Sequence, residues 1–253
     1  PQTGTIHHWQ VPEGPGIRVD SGIKSGMEVS PFYDPMLAKV IAYGSTRQDA
    51  CRRLVRAVED TQILGVQTNK AFLSQVLTDP RFVQGAATTA FIDDATLEKT
   101  TRAATPHSAN IALAAVLLRT GSQEARSLPW RWSNSADMAV QMKLASGATK
   151  WEVRIASNDS LFDVTIGDET HQIELHELDQ LQCRASINGI RRTTTFAFSG
   201  DDIFLTAQGQ ELRVTDMTYA AAVTDDLAGN GRIIATMEGL VVGLEAEVGA
   251  RVS

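Results

Sequence analysis

From Ile111 to Leu118 the chain reads Ile-Ala-Leu-Ala-Ala-Val-Leu-Leu, eight residues without a polar side chain. Thr105 and Pro106 precede the run as a cap hydroxyl and a first-turn proline, and Gly121 follows Arg119 at the C′ position, so the spacing predicts a helix. A helix lying on a surface keeps one apolar stripe, whereas a helix apolar on every side must be enclosed. Bilayers require roughly 20 such residues, so the enclosing medium is protein and no membrane segment is expected.

The following sequence supplies the enclosure. Between about residues 139 and 216, seven turn signals (Ser146-Gly147, Asn158-Asp159, Gly167-Asp168, Leu178-Asp179, Asn188-Gly189, Gly200-Asp201-Asp202 and Gly209) separate eight short β runs. Trp151, Val153 and Ile155 alternate with Lys150, Glu152 and Arg154, the period of a half-buried strand. Asn188-Gly189 is the strongest hairpin signal, because both residues tolerate the positive φ of a type I′ turn. These features predict an eight-stranded antiparallel sheet curled around the apolar helix. Eight strands usually leave room only for side chains, so a strongly sheared or incompletely closed sheet is expected.

Residues 1 to 99 mix the two periods. Met36 to Tyr43 reads as a buried strand closed by Gly44, and Ser45 and Thr46 offer helix caps. The helix after them puts Ala50, Leu54, Ala57 and Val58 on one stripe and Arg47, Asp49, Arg52, Arg53, Arg56 and Glu59 on a solvated face. A strand over residues 63–66, a cap at Asn69, a helix through Leu77 and a stop at Asp79-Pro80 complete this part. Residues 99 to 106 have the polarity of a linker.

Charge and cysteine usage narrow the function classes. With 23 basic and 30 acidic residues, a net charge of −7, the chain would repel a phosphate backbone, and no nucleic-acid partner is expected. Cys51 and Cys183 have no CxxC neighbour and read as reduced, separately packed thiols. His7 and His8 point to opposite faces if extended, and no helical His pair has zinc spacing, so no metal centre is expected. A start at Pro1-Gln2-Thr3, without Met or a leader pattern, suggests a piece of a longer protein.

Three segments, in order, carry a family resemblance. Pro12 to Ser21 (Pro-Glu-Gly-Pro-Gly-Ile-Arg-Val-Asp-Ser), Gly26, Pro31 to Ile41 (Pro-Phe-Tyr-Asp-Pro-Met-Leu-Ala-Lys-Val-Ile) and Gly65 to Asn69 resemble the C-terminal part of a biotin carboxylase domain. The helix and eight strands resemble the domain that joins carboxylase to carrier in the biotin-containing subunit of acyl-CoA carboxylases of the propionyl-, methylcrotonyl- and geranyl-CoA type. Gly231 to Val252, with Ala235-Thr236-Met237-Glu238-Gly239-Leu240, looks like the first half of a biotinyl carrier domain, although family members more often have Pro where Glu238 stands.

The resemblance implies an α+β chain in three parts: residues 1–99, the C-terminal α/β portion of a biotin carboxylase domain of ATP-grasp type; residues 100–226, an eight-stranded antiparallel barrel around a central helix that contacts the carboxyltransferase (beta) subunit; and residues 227–253, the start of a small β biotinyl domain. It implies a ligase that uses ATP, magnesium and bicarbonate to carboxylate biotin for transfer to an acyl-CoA, 3-methylcrotonyl-CoA or geranyl-CoA being favoured. The partners would be carboxyltransferase and further alpha subunits in a dodecameric assembly, in a bacterial cytoplasm or a mitochondrial matrix. The family's ATP- and magnesium-binding module lies upstream of the region resembling residue 1, its biotin-accepting lysine lies beyond Ser253, and no lysine follows Lys150. These residues alone are therefore expected to be inactive.

Arg18 matches the family arginine that lies beside the ureido oxygen of biotin, where negative charge develops once N1 loses its proton. A permanently protonated guanidinium suits that role. Gly14-Pro15-Gly16 lacks the lysine of a phosphate loop and reads as the tight turn that presents Arg18. Trp130, Arg131 and Trp132 stand in the segment between helix and first strand, and the corresponding family loop hooks onto carboxyltransferase. The alternative is that the indoles plug the barrel. Two other functions stay open: a non-catalytic subunit-interaction scaffold, and a barrel carrying a small apolar ligand.

Overall fold

The computed structural model describes residues 3–32, 35–92, 106–121, 139–158, 160–207 and 210–220. The chain divides into two compact units, residues 1–219 and 220–253. Of the second unit only Ala220 is described, so the biotinyl-like segment 227–253 lies outside the described residues, as do Trp130, Arg131, Trp132 and both expected domain boundaries.

The apolar run forms α4 (Ser108–Gly121), and Ile111 to Leu117 are no more than 1% exposed. Around it wrap β7 (Val140–Ser146), β8 (Thr149–Asn158), β9 (Leu161–Ile166), β10 (Glu169–Leu178), β11 (Gln182–Ile187), β12 (Ile190–Ser199), β13 (Asp202–Ala207) and β14 (Gln210–Asp216). All eight predicted strands form. The sheet is a fully closed antiparallel barrel in the order β10-β11-β12-β13-β14-β7-β8-β9. Closure rests on the short β14 to β7 pairing, Thr215 opposite Ala145 and Asp216 opposite Leu144, extended by a bond from Met217 N to Lys143 O at 2.7 Å. Incomplete closure, one of the two expected ways to admit a helix, is not used.

Small side chains make the helix thin enough to fit. Ala112, Ala114 and Ala115 have no exposed surface, so strands approach the helix backbone directly on those sides. Leu113, Val116 and Leu117 fill the remainder against inward residues such as Ile155, Ile173, Phe196 and Leu205. Each fully buried aliphatic side chain contributes about 1.5–3 kcal/mol, which makes the filled barrel the main apolar core.

Both helix ends differ from the expectation. The helix begins at Ser108 and not at Pro106: the His107 carbonyl accepts from Asn110 N (2.9 Å) and Ile111 N (3.2 Å). Gly121 is the last helical residue, not a cap beyond it, and is buried. A Cβ there would stand 2.4 Å from Cζ of Phe198, so any other residue would force the ring packed against it to shift. Asn188 and Gly189 have φ of 50° and 80°, the type I′ geometry predicted for that hairpin.

The first portion is built from β1 (Gly4–Thr5), β2 (His8–Gln10), β3 (Ile17–Ser21), β4 (Glu28–Val29), β5 (Ala38–Ala42), α1 (Arg47–Asp60), β6 (Gln62–Leu64), α2 (Lys70–Thr78) and α3 (Pro80–Val83). Its strands form three two-stranded antiparallel ribbons, β1 with β4, β2 with β6 and β3 with β5. Thr46 caps α1 by accepting from Asp49 N at 3.2 Å. The arginines of α1 are not only a solvated face. Arg47 donates to the carbonyls of Phe82 (2.6 Å) and Val83 (3.2 Å), which end α3, and Arg53 donates to those of Pro15 (3.0 Å) and Tyr43 (3.3 Å). Asp79-Pro80 ends α2 as expected, but Asp79 also caps α3 through Arg81 N at 2.8 Å.

Among the described residues, a polar junction links the two portions of this unit. Asn69, the expected cap of α2, makes no side-chain cap bond. Instead Lys70 N donates to Thr68 Oγ1 (3.4 Å), whose hydroxyl donates to Glu211 Oε2 on β14 (2.9 Å). Lys70 Nζ donates to Glu211 Oε1 at 2.8 Å and to the Thr61 carbonyl. A barrel carboxylate thus supplies the anion that the N-terminus of α2 favours. His7 packs against Phe204 of β13 beside it, ring centroids 5.3 Å apart.

Candidate functional site

Arg18 lies on β3, where period two puts Ile17 and Val19 on the partly covered face and Arg18 and Asp20 on the open one. The partner strand continues the pattern: Arg18 is opposite Ile41 and Asp20 opposite Lys39, both on the exposed face of β5. The apolar run from Met36 to Tyr43 predicts a buried strand, and β5 forms within it but is not fully buried. It is covered on one face only: Ala38, Val40 and Ala42 are half-buried, and Lys39 and Ile41 between them are exposed. The open face of this ribbon therefore presents two cations, one carboxylate and an isoleucine.

The turn before β3 sets the strand's position. Ile17 N donates to Gly14 O (3.1 Å) and Tyr43 N to Gly16 O (2.7 Å). Gly16 has φ of +78°, and a Cβ there would come within 2.6 Å of the Tyr43 carbonyl and 2.5 Å of Arg53 Nη1. Only glycine admits that approach, and the turn presents Arg18 as its sequence suggested. Arg18 Nε and Nη2 donate to Asp20 Oδ1 and Oδ2, both at 2.8 Å, a bidentate pair. The Arg18 side chain is still 72% exposed. Its hydrogen bond to Asp20 raises the Arg18 pKa, and the same bond, with Lys39 adding its charge, holds the Asp20 carboxyl below the ordinary carboxylate range.

A second polar cluster, not foreseen from the sequence, surrounds the start of α4. Asn188 Oδ1 accepts from Gln172 N (2.9 Å), which leaves its Nδ2 to donate to His171 Nδ1 (3.2 Å). His171 must then carry its proton on Nε2, which faces Ser108 Oγ at 2.9 Å and Glu169 Oε2 at 3.4 Å. The Ser108 hydroxyl donates to Glu169. A histidine that donates to a serine cannot take that serine's proton, so this is not a nucleophilic dyad. It is a clamp on the first turn of the buried helix, and the Ser108 bond, opposed by partial desolvation and helped by His171, keeps the Glu169 carboxyl below its usual range. The paired spacing of Glu169 and His171 on one strand face was its only sequence trace.

The thiols are free and buried, as their spacing implied. Burial pushes Cys183 up to about 11, which removes it from thiolate chemistry near neutrality. Among the described residues, no group of three or more His, Cys, Asp or Glu could hold a metal ion. The open donors of Arg18 do fit an oxygen that gains negative charge, such as the ureido oxygen of biotin.

Residues 1–94 match the family model of the biotin carboxylase C-terminal domain. The chain is 45% identical over 102 residues to a biotin carboxylase of Halalkalibacterium halodurans, a match that takes in 40% of this chain and 23% of that one. It is 43% identical over 95 residues to the human mitochondrial propionyl-CoA carboxylase alpha chain, covering 37% of this chain and 13% of the relative. Against the mitochondrial methylcrotonoyl-CoA carboxylase subunit alpha of Glycine max the identity is 38% over 94 residues, again 37% and 13% of the two chains. Among solved structures, the complete multifunctional pyruvate carboxylase of Rhizobium etli aligns with 31% identity and a TM-score of 0.43, over 47% of this chain and 11% of that one. Over residues 1–94 the chain is therefore similar to the biotin carboxylase C-terminal domain of biotin-dependent carboxylases. A closed eight-stranded barrel follows it, and the chain spans less than a quarter of the curated relatives named here.

Proposed function

We propose that this chain is part of the biotin-containing subunit of an acyl-CoA carboxylase, a ligase, with 3-methylcrotonyl-CoA or geranyl-CoA as the favoured acceptor. The observation that carries the reading is the exposed guanidinium of Arg18, placed by a glycine-dependent turn on the open face of a ribbon inside the carboxylase-type domain. ATP and magnesium would be held by residues other than those described. Biotin, when bound, supplies a ureido group whose N1 accepts the carboxyl carbon.

Arg18 acts on the ureido oxygen. It offers donors that need no proton exchange at neutral pH, and their alignment before the charge develops lowers the cost of reorganisation. Lys39 on the neighbouring strand adds positive potential on the same face. The barrel, its interior occupied by α4, serves as the scaffold that carries carboxyltransferase contact, with Trp130, Arg131 and Trp132 as its anchors. The filled interior argues against a small-ligand carrier.

In the complete subunit, Arg18→Ala should lower biotin-dependent ATP turnover on the order of 10²–10³-fold while assembly is unchanged. Turnover within threefold of wild type would remove Arg18 from the mechanism.

A further inference from the structure

The geometry points to Asp20 as the positioning residue that holds Arg18 in its working orientation. This inference rests on the proposed role of Arg18. A guanidinium on an exposed strand has many rotamers, and an unheld donor must be ordered each time charge develops. Asp20 removes most of that freedom, because its two oxygens fit Nε and Nη2 at equal distances of 2.8 Å. The pair is possible because residues two apart on a strand share a face.

Hydrogen-bond capacity decides what is left for a ligand. Arg has five N–H donors. Asp20 engages one on Nε and one on Nη2, so both donors on Nη1 and one on Nη2 stay directed away from the carboxylate. The fork is therefore anchored on one edge and open on the other. Asp20 also cancels one positive charge, which by itself would weaken the attraction for an anion. Lys39, directly opposite Asp20 on β5 and on the same open face, offsets that loss, and the three groups keep a net positive charge.

Orientation and charge make opposite predictions when Asp20 is neutralised. If Asp20 mattered only through charge, Asp20→Asn would leave two cations facing the ligand, and turnover would be unchanged or faster. If Asp20 positions Arg18, the same variant frees the fork, and the loss falls on kcat because the aligned donors matter most after charge has developed. KM should change little, since the ground-state ligand gains no comparable charge.

The test compares Asp20→Asn, Asp20→Glu and Arg18→Ala in the complete subunit, with biotin-dependent ATP turnover measured over biotin and bicarbonate concentration. The expected result is a fall of about tenfold in kcat for Asp20→Asn, KM values within twofold, and at least a third of wild-type kcat for Asp20→Glu. Wild-type or faster turnover by Asp20→Asn, with Arg18→Ala inactive, would overturn the positioning role and leave the Arg18 assignment standing. Full activity of Arg18→Ala would instead remove the reading on which the inference rests. A matching thermal midpoint for Asp20→Asn and wild type separates a kinetic effect from a folding one, as the exposure of both side chains leads one to expect.

Discussion

The barrel and the carboxylase portion solve the same problem in opposite ways. The barrel surrounds its helix on every side and leaves no edge strand, so its interior is a single continuous apolar core. The carboxylase portion has three separate ribbons and smaller cores, one around Ile6, Ile63 and Val66 and one around Val76 and Phe91. Backbone carbonyls there are gathered by Arg47 and Arg53, and Arg18 stands open to solvent. A closed region can devote nearly every inward position to packing, whereas the open ribbon of β3 and β5 leaves one face to charged side chains.

The largest effect should come from charging the closed core. Leu113→Asp places a carboxylate at a position 1% exposed and ringed by aliphatic side chains, and burying an unpaired charge costs more than the stability of a typical domain. The variant should lose its near-UV circular dichroism. A soluble protein with a native spectrum would mean that the helix does not fill the barrel.

Glu211→Ala probes where the two regions meet. It strips the acceptor from Thr68 and Lys70, leaves a half-buried ammonium without its carboxylate, and removes the outer part of the α2 cap. A loss of about 1–3 kcal/mol is expected from thermal or urea unfolding. Amide exchange should rise at the start of α2 more than in β10 or β11. Equal change in both places would show that the junction supports the whole unit and not that helix end.

The smallest effect concerns acid sensitivity, and it separates two carboxylates. Burial of Asp202 works to raise its pKa, but the bonds from Arg213 (2.7 Å) and Thr215 (2.5 Å) outweigh it and leave the carboxyl below its ordinary value. A depressed folded pKa means stability that is present above the unfolded value near 4 and is lost as pH falls through the folded one. Asp202→Asn should therefore be less stable than wild type at pH 6 and approach it at pH 2. Asp20, exposed on its ribbon, should show no comparable convergence. Parallel pH–stability curves for Asp202→Asn and wild type would contradict the assignment.

The sequence was most legible where one local pattern admitted one outcome. Eight strands, seven breaks, the I′ turn at Asn188-Gly189 and the enclosed helix follow from periodicity and turn chemistry, since each is a property of a few consecutive residues. The Thr46 cap and the Gly16 turn are of the same kind. The match of residues 1–94 agrees with what the motif around Arg18 implied. What lay beyond the sequence was every relation between distant residues. Nothing near Glu211 marks it as the partner of Lys70, and nothing near Phe198 marks its ring as the neighbour of Gly121 inside the helix. His171 and Ser108 are 63 positions apart, and their tautomer and donor roles exist only once β10 and α4 are packed. The carboxylate of Asp20 could be read from its spacing, but its two-point grip on Arg18 depends on strand geometry and rotamer. Local sequence determined which segments could be helix, strand or turn, because those choices turn on backbone sterics and neighbouring side chains. Tertiary structure decided closure, partnering and protonation, because these depend on which distant groups are brought within hydrogen-bond reach.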